Sequence, residues 1–172
     1  MTEPRTRVAV VVGNPKPGSR TLAAGRYLAR QLAGEPDLVI DLADLGAALL
    51  DLDDAGVADL VARVGEADLV VVASPTYKGT YTGLLKLFLD RFSTTGLSGV
   101  AVPLMLGAGP THALAPELTL RPVLTEIGGV VPVRGLYVRD SRHDDPASYA
   151  EWLSVARPVI SRLLAARQGA VA

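Results

Sequence analysis

The chain has 172 residues, enough for one domain with a full core and too few for two ordinary ones. Apolar residues make up 49% and charged residues 20%, the balance of a folded globular protein rather than a disordered tail. The formal charge of −1 gives no basic field for nucleic acid, zero cysteines exclude thiol chemistry, and two histidines (His112, His143) are too few for a multi-histidine metal site.

Val8 to Val12 ("VAVVV") is a continuous β-branched run, the pattern of a strand covered on both faces. A Gly/Pro loop follows, then a predicted helix from about Ser19 to Gly34 with Leu22, Ala23, Tyr27, Leu28 and Leu32 inward. Leu38 to Leu42 reads as a second strand. Asp53 or Asp54 caps a helix whose apolar face is Val57, Leu60, Val61 and Val64. Leu69 to Ala73 is the third strand. Beyond its loop, Tyr81, Leu84, Leu85, Phe88, Leu89 and Phe92 keep helical spacing. Val100 to Leu106 is the fourth strand, and Val130 to Val138 the fifth, with Pro132 pointing to a sheet edge. A final helix carries Tyr149, Trp152, Leu153, Ala156, Ile160, Leu163 and Leu164, with a bend expected at Pro158. Apolar runs stop short of a membrane span, and the charged "MTEPRTR" start lacks a signal-peptide core, so the expected setting is cytoplasmic.

Strands alternating with helices imply an α/β three-layer sandwich: one parallel five-stranded sheet with helices on both faces, spanning residues 1–172 as a single domain. Right-handed crossovers leave few topologies, and the flavodoxin-like order 2-1-3-4-5 is the commonest at this size. Its switch point lies between strands one and three. The loops after strands one, three and four would then converge on one crevice, and these are the loops richest in Gly, Pro, Ser and Thr.

The first of them, "GNPKPGSRT" (Gly13 to Thr21), sets two glycines, two bases and two hydroxyls ahead of a helix N-terminus, where an anion is attracted. Gly13 and Gly18 have the spacing of a Walker A loop, but Ser19 stands where its lysine must be. There is no dinucleotide fingerprint either. The segment reads as a phosphomonoester cradle, with a simple Pro/Gly turn as the alternative. The second loop suits a flat aromatic ligand: backbone N–H groups from Thr76 to Gly79 for a polar ring edge, and Gly79 for close approach. Tyr77 and Tyr81 either flank such a ring or, for Tyr81, fill the helix's buried face. The third, "GAGPTHA" (Gly107 to Ala113), adds His112, a residue that in such places more often caps or packs than catalyses. No nucleophile–base pair and no metal constellation emerges, so the chemistry is expected to come from a cofactor.

These residues resemble the NADPH-dependent FMN reductase family of flavodoxin-like flavoproteins, especially the reductases of two-component sulfonate monooxygenase systems. The resemblance runs from Val8 to about Leu164 and rests on "GNPKPGSRT", "SPTYKGTYTGLLKLFLD" and "LMLGAGPTHALAPELTLRPVL". It implies that Asn14, Lys16, Ser19, Arg20 and Thr21 hold the FMN phosphate. Pro75, Thr76, Tyr77, Lys78 and Gly79 would border the isoalloxazine ring, with Gly107, Ala108, Gly109 and His112 on its third side. The implied activity is hydride transfer from NADH or NADPH to flavin N5, with reduced FMN released to a partner monooxygenase. The implied assembly is a homodimer or homotetramer, and no catalytic side chain or metal is needed. An FMN-dependent quinone or azo reductase is the alternative. A flavodoxin-type electron carrier fits less well, because such carriers are strongly acidic. The chain departs from the family at Asn14 and Lys16, which replace serine and arginine, and at Leu118, where the sulfonate-system reductases can carry an aromatic residue. Pro116 predicts a helix start there rather than near Thr111, and Pro122 predicts a kink.

Overall fold

Strand β1 (Val8–Val12) is buried at all five positions, and its side chains divide between two cores. Val8, Val10 and Val12 face helices α1 (Arg20–Ala33) and α5 (Ala147–Val171), whereas Ala9 and Val11 face α2 (Ala55–Gly65), α3 (Gly83–Leu89) and α4 (Arg121–Glu126). This is the two-sided burial that a β-branched run predicts. The computed structural model describes residues 5–171, with the side chains of residues 170 and 171 left aside. Strands β2 (Leu38–Asp41), β3 (Leu69–Pro75), β4 (Val100–Gly107) and β5 (Leu136–Arg139) complete a parallel sheet in the order β2-β1-β3-β4-β5. The flavodoxin-like three-layer arrangement expected from the sequence is therefore present. Among the described residues, no helix is long and apolar enough to cross a membrane.

Several element boundaries differ from the sequence expectation, each for a local reason. Helix α1 is capped by Ser19, but Ala23 is exposed; Ala24, Gly25 and Leu28 take the inner face instead. A Cβ on Gly25 would lie 3.0 Å from Val10, so the missing side chain brings α1 close to the sheet. Asp54, not Asp53, caps α2 by accepting from Val57 N at 2.8 Å. Helix α3 is shorter than its apolar spacing suggests, because Thr82 caps it and Asp90 ends it. Tyr81 and Phe92 therefore lie outside the helix, although both pack against the same core. Phe88 within it is fully buried, worth about 1.5–3 kcal/mol by area.

The fifth strand begins at Leu136, not Val130. Val130 makes an isolated bridge to Val100, after which the chain swings out and rejoins β4 at Leu104. Pro132 has no N–H to donate. The detour is tied to the preceding helix, where Glu117 accepts from Gly135 N at 2.9 Å and Arg121 donates to Val131 O at 3.1 Å. Strand β5 does sit at the sheet edge. As expected, the main helix before α4 starts near Pro116 and not at Thr111. A 3-10 turn covers Pro110–His112, and a π-helical turn spans Pro116–Leu120 before α4. Pro122 supplies no N–H to the Leu118 carbonyl and its ring crowds that group, which a widened turn relieves. Helix α5 runs through Pro158 to Val171 as one element, its buried face (Leu153, Ala156, Ile160, Leu164) offsetting the lost hydrogen bond.

Candidate functional site

The carboxyl ends of β1, β3 and β4 are joined to one another by direct contacts. Gly13 N donates to Ala73 O at 2.8 Å, and Thr82 Oγ1 donates to Gly13 O at 2.5 Å, which fixes the first loop against the second. Thr76 N donates to Leu106 O at 2.6 Å, which fixes the second loop against the end of β4, and Gly79 lies close enough to the third loop that a Cβ on it would stand 3.8 Å from the His112 ring. The three loops form one region.

In the first loop, Asn14 and Thr21 are engaged with each other: Asn14 Nδ2 donates to Thr21 Oγ1 at 3.0 Å, and Asn14 Oδ1 accepts from Lys16 N at 3.0 Å. Thr21 is buried. Both residues shape the loop. Ser19 is buried too and accepts from Leu22 N at 3.3 Å, so its hydroxyl proton remains available. Lys16 and Arg20 are exposed, and Arg20 pairs with Asp140. The backbone N–H groups in the first turn of α1 have no helical acceptor and add partial positive charge.

The second loop is a tight turn. Tyr77 and Thr80 exchange hydrogen bonds at 2.9 and 3.2 Å, and the residues between them have φ of 54° (Lys78) and 85° (Gly79). Two successive positive φ angles are those of a type I′ turn, for which glycine at the second position is favoured. Gly79 thus serves turn geometry. Pro75 lies within β3, buried and paired with Leu106, while Tyr77 and Lys78 are exposed. Thr76 is half-buried.

In the third loop, Gly107 is the buried last residue of β4 and Gly109 is half-buried, while Ala108 and His112 are exposed. Tyr137, from β5, donates its hydroxyl to Gly109 O at 2.6 Å and covers Gly107. Burial pushes the Tyr137 phenol above its ordinary range, so it remains a neutral donor. A cavity of about 360 Å³ opens beside this loop, lined by Gly79, Thr111, His112, Leu114 and Leu118 among others. Another, of about 410 Å³, lies between β5 and α5 around Arg134 and Trp152 and reaches the loops only at Ala113.

Four residues at this site escaped the sequence reading. Asp41 ends β2 and accepts from Gly18 N at 3.0 Å, holding that glycine at φ 62°. A carboxylate closing an apolar strand was a usable signal. Thr82, a threonine directly before an apolar helical run, was another. Tyr137 and Asp140 act across the fold and left no local trace.

The model of the NADPH-dependent FMN reductase family matches residues 6–144. The chain belongs to that family. It is 33% identical to the NADH-dependent FMN reductase SfnF of Pseudomonas fluorescens, covering 99% of this chain and 92% of the relative. An FMN-dependent NADPH-azoreductase of Staphylococcus haemolyticus is 29% identical, with 83% of each chain covered. Among solved structures, an NADH:FMN oxidoreductase (EMOB) in its apo form aligns with a TM-score of 0.79 and 30% identity, over 94% of this chain and 89% of the other. The protein is an FMN reductase, an NAD(P)H-dependent oxidoreductase of flavodoxin-like fold.

The residues present fit a flavin mononucleotide. Among the described residues, three buried side-chain polar atoms lack a partner: Asp41 Oδ1, Thr76 Oγ1 and Arg167 Nε. Two of the three are at these loops. Asp41 Oδ1 requires a donor, which ribityl hydroxyls supply and a bare phosphate dianion does not. Thr76 Oγ1 both donates and accepts, as the polar edge of a flavin ring demands.

Proposed function

We propose that this reductase passes a hydride from NADH or NADPH to N5 of FMN and hands the reduced flavin to a partner monooxygenase. FMN, when bound, supplies the electron-accepting ring; the chain supplies the binding surface and no general acid or base. Lys16, Arg20, Ser19 and the first-turn N–H groups of α1 hold the phosphomonoester, on a loop shaped by the Asn14–Thr21 hydrogen bond. Pro75 to Gly79 border the ring on one side, with Thr76 supplying a polar contact. Gly107, Ala108, Gly109 and His112 border it on another. The observation that carries this reading is the contact of all three loops, with two exposed cations, Lys16 and Arg20, on the first.

The whole chain acts as one FMN-binding domain in the cytoplasm and assembles at least as a homodimer. Exposed leucines at the third loop and α3 (Leu114, Leu118, Leu87) support the assembly. A second reading, reduction of azo compounds or quinones by the bound flavin, is favoured by the azoreductase relative.

NAD(P)H oxidation measured with and without added FMN tests the proposal. Turnover should require FMN, and FMN should bind more tightly than riboflavin by fluorescence quenching. Lys16→Ala combined with Arg20→Ala should weaken FMN far more than riboflavin. Oxidation that depends on an azo dye or quinone, with no net release of reduced FMN, would favour the second reading.

A further inference from the structure

The Arg20 guanidinium already has an internal anion. Its Nη1 donates to Asp140 Oδ2 in a close ion pair, linking the N-terminus of α1 to the turn Asp140–Arg142 that follows β5. The pair is open to solvent and to any incoming ligand, with side-chain exposures of 61% and 40%. Among the described residues, Asp140's carboxylate has no other hydrogen-bonding partner. A second carboxylate, Asp41 at the end of β2, reaches the first loop and accepts from Gly18 N. The two positive charges of the first loop thus stand with two carboxylates, Asp140 paired to Arg20 and Asp41 held on the Gly18 N–H.

That balance matters for a phosphomonoester. A dianion arriving at Arg20 must draw the guanidinium away from Asp140 or share it, and in either case it lies beside a like charge. If Asp140 were needed to position Arg20, its removal would loosen the site. Arg20, however, is the first residue of α1, behind the buried cap Ser19, so its backbone is fixed without Asp140.

We propose that Asp140 competes with the FMN phosphate for Arg20 and thereby keeps FMN exchangeable, a ligand that is taken up and released rather than retained. The inference rests on the assignment of Arg20 to the phosphate. Asp140, far along the chain and in no binding motif, thus sets how loosely FMN is held.

Fluorescence-quenching titrations of FMN and riboflavin into the wild-type protein, Asp140→Asn, Arg20→Ala and the double variant test it. Stopped-flow measurement of FMN dissociation adds the rate. Asp140→Asn should tighten FMN about two- to fivefold, the range set by the strength of an exposed ion pair, slow its release by a similar factor, and leave riboflavin unchanged. The gain should vanish in the Arg20→Ala background. Asp140→Ser should behave alike, and apo melting temperatures establish that both variants fold. Weaker or unchanged FMN binding in both Asp140 variants would overturn the proposal, as would an equal gain for riboflavin. Equal wild-type affinities for the two flavins would instead overturn the phosphate cradle, and the competition with it.

Discussion

Tyr137 closes over Gly107: its hydroxyl reaches the carbonyl oxygen of Gly109 at 2.6 Å and occupies the space that a Cβ on Gly107 would need. The edge strand thereby holds the loop that follows β4. Gly107→Ala forces Tyr137 aside, which costs about 1–3 kcal/mol by overpacking. The apo melting temperature should fall by roughly 2–10 °C at this chain length. Tyr137→Phe removes the hydrogen bond, for about 0.5–1.5 kcal/mol, and also removes the oxygen that collides. Its cost should therefore be smaller in the Gly107→Ala background than in the wild type. Strict additivity in that double-mutant cycle would show that the two residues do not share the space.

The type I′ turn at Lys78 and Gly79 makes a different demand. A Cβ on Gly79 would stand 3.8 Å from His112, an ordinary contact, so the first carbon of a side chain there meets no clash. The strain comes from φ 85°, which a β-branched residue adopts at a cost of about 1–2 kcal/mol or more. Gly79→Val should lower the apo melting temperature, whereas Gly79→Asn, which tolerates this region, should change it far less. An unaltered melt for Gly79→Val would mean that the turn relaxes freely and that the φ argument is void.

How far the sequence carries the fold depends on whether a feature is written locally. The run Val8–Val12 and the alternation of strands and helices imply a parallel sheet covered on both faces, and right-handed crossovers with the commonest topology at this size point to the observed strand order. Tyr81 and Phe92 keep helical spacing and so predict a longer α3, while the Thr82 cap and the Asp90 stop bound the hydrogen-bonded turns. Val130 reads in the sequence as the start of the fifth strand; only the Glu117 and Arg121 contacts, from another element, explain the detour. At the site, the loops were legible from composition. Their ties to Asp41, Tyr137 and Asp140 were not, since each joins residues far apart in the chain.

The proposed homo-oligomer gives a third measurable consequence. Leu114 and Leu118, four residues apart beside the third loop, are 53% and 67% exposed, and Leu87 on α3 is 39% exposed. Light scattering over a wide concentration range should give a dimer or tetramer mass. Leu118→Arg should shift the population toward smaller species without lowering far-UV helicity. A constant monomer mass for the wild-type protein would rule the assembly out.

The hydroxyl of Thr82 makes two bonds at once. It accepts from Leu85 N at 3.1 Å, capping α3, and donates to Gly13 O at 2.5 Å, holding the first loop. Thr82 is buried, and its own N–H donates to Ser74 Oγ at 3.2 Å. Thr82→Val keeps the shape and removes the hydroxyl. The lost cap costs about 0.5–2 kcal/mol, and a carbonyl left unpaired in the interior costs about 1–3 more. These add imperfectly, so a loss of roughly 2–4 kcal/mol is expected, seen as a lower midpoint in urea with an unchanged slope. Because Gly13 opens the loop proposed to hold the phosphate, FMN binding at a temperature where the variant is fully folded should weaken as well, and riboflavin binding less. Thr82→Ser retains both bonds and should stay close to the wild type in each measurement. If Val and Ser variants unfold together at the wild-type midpoint, the hydroxyl does not join the first loop to the second.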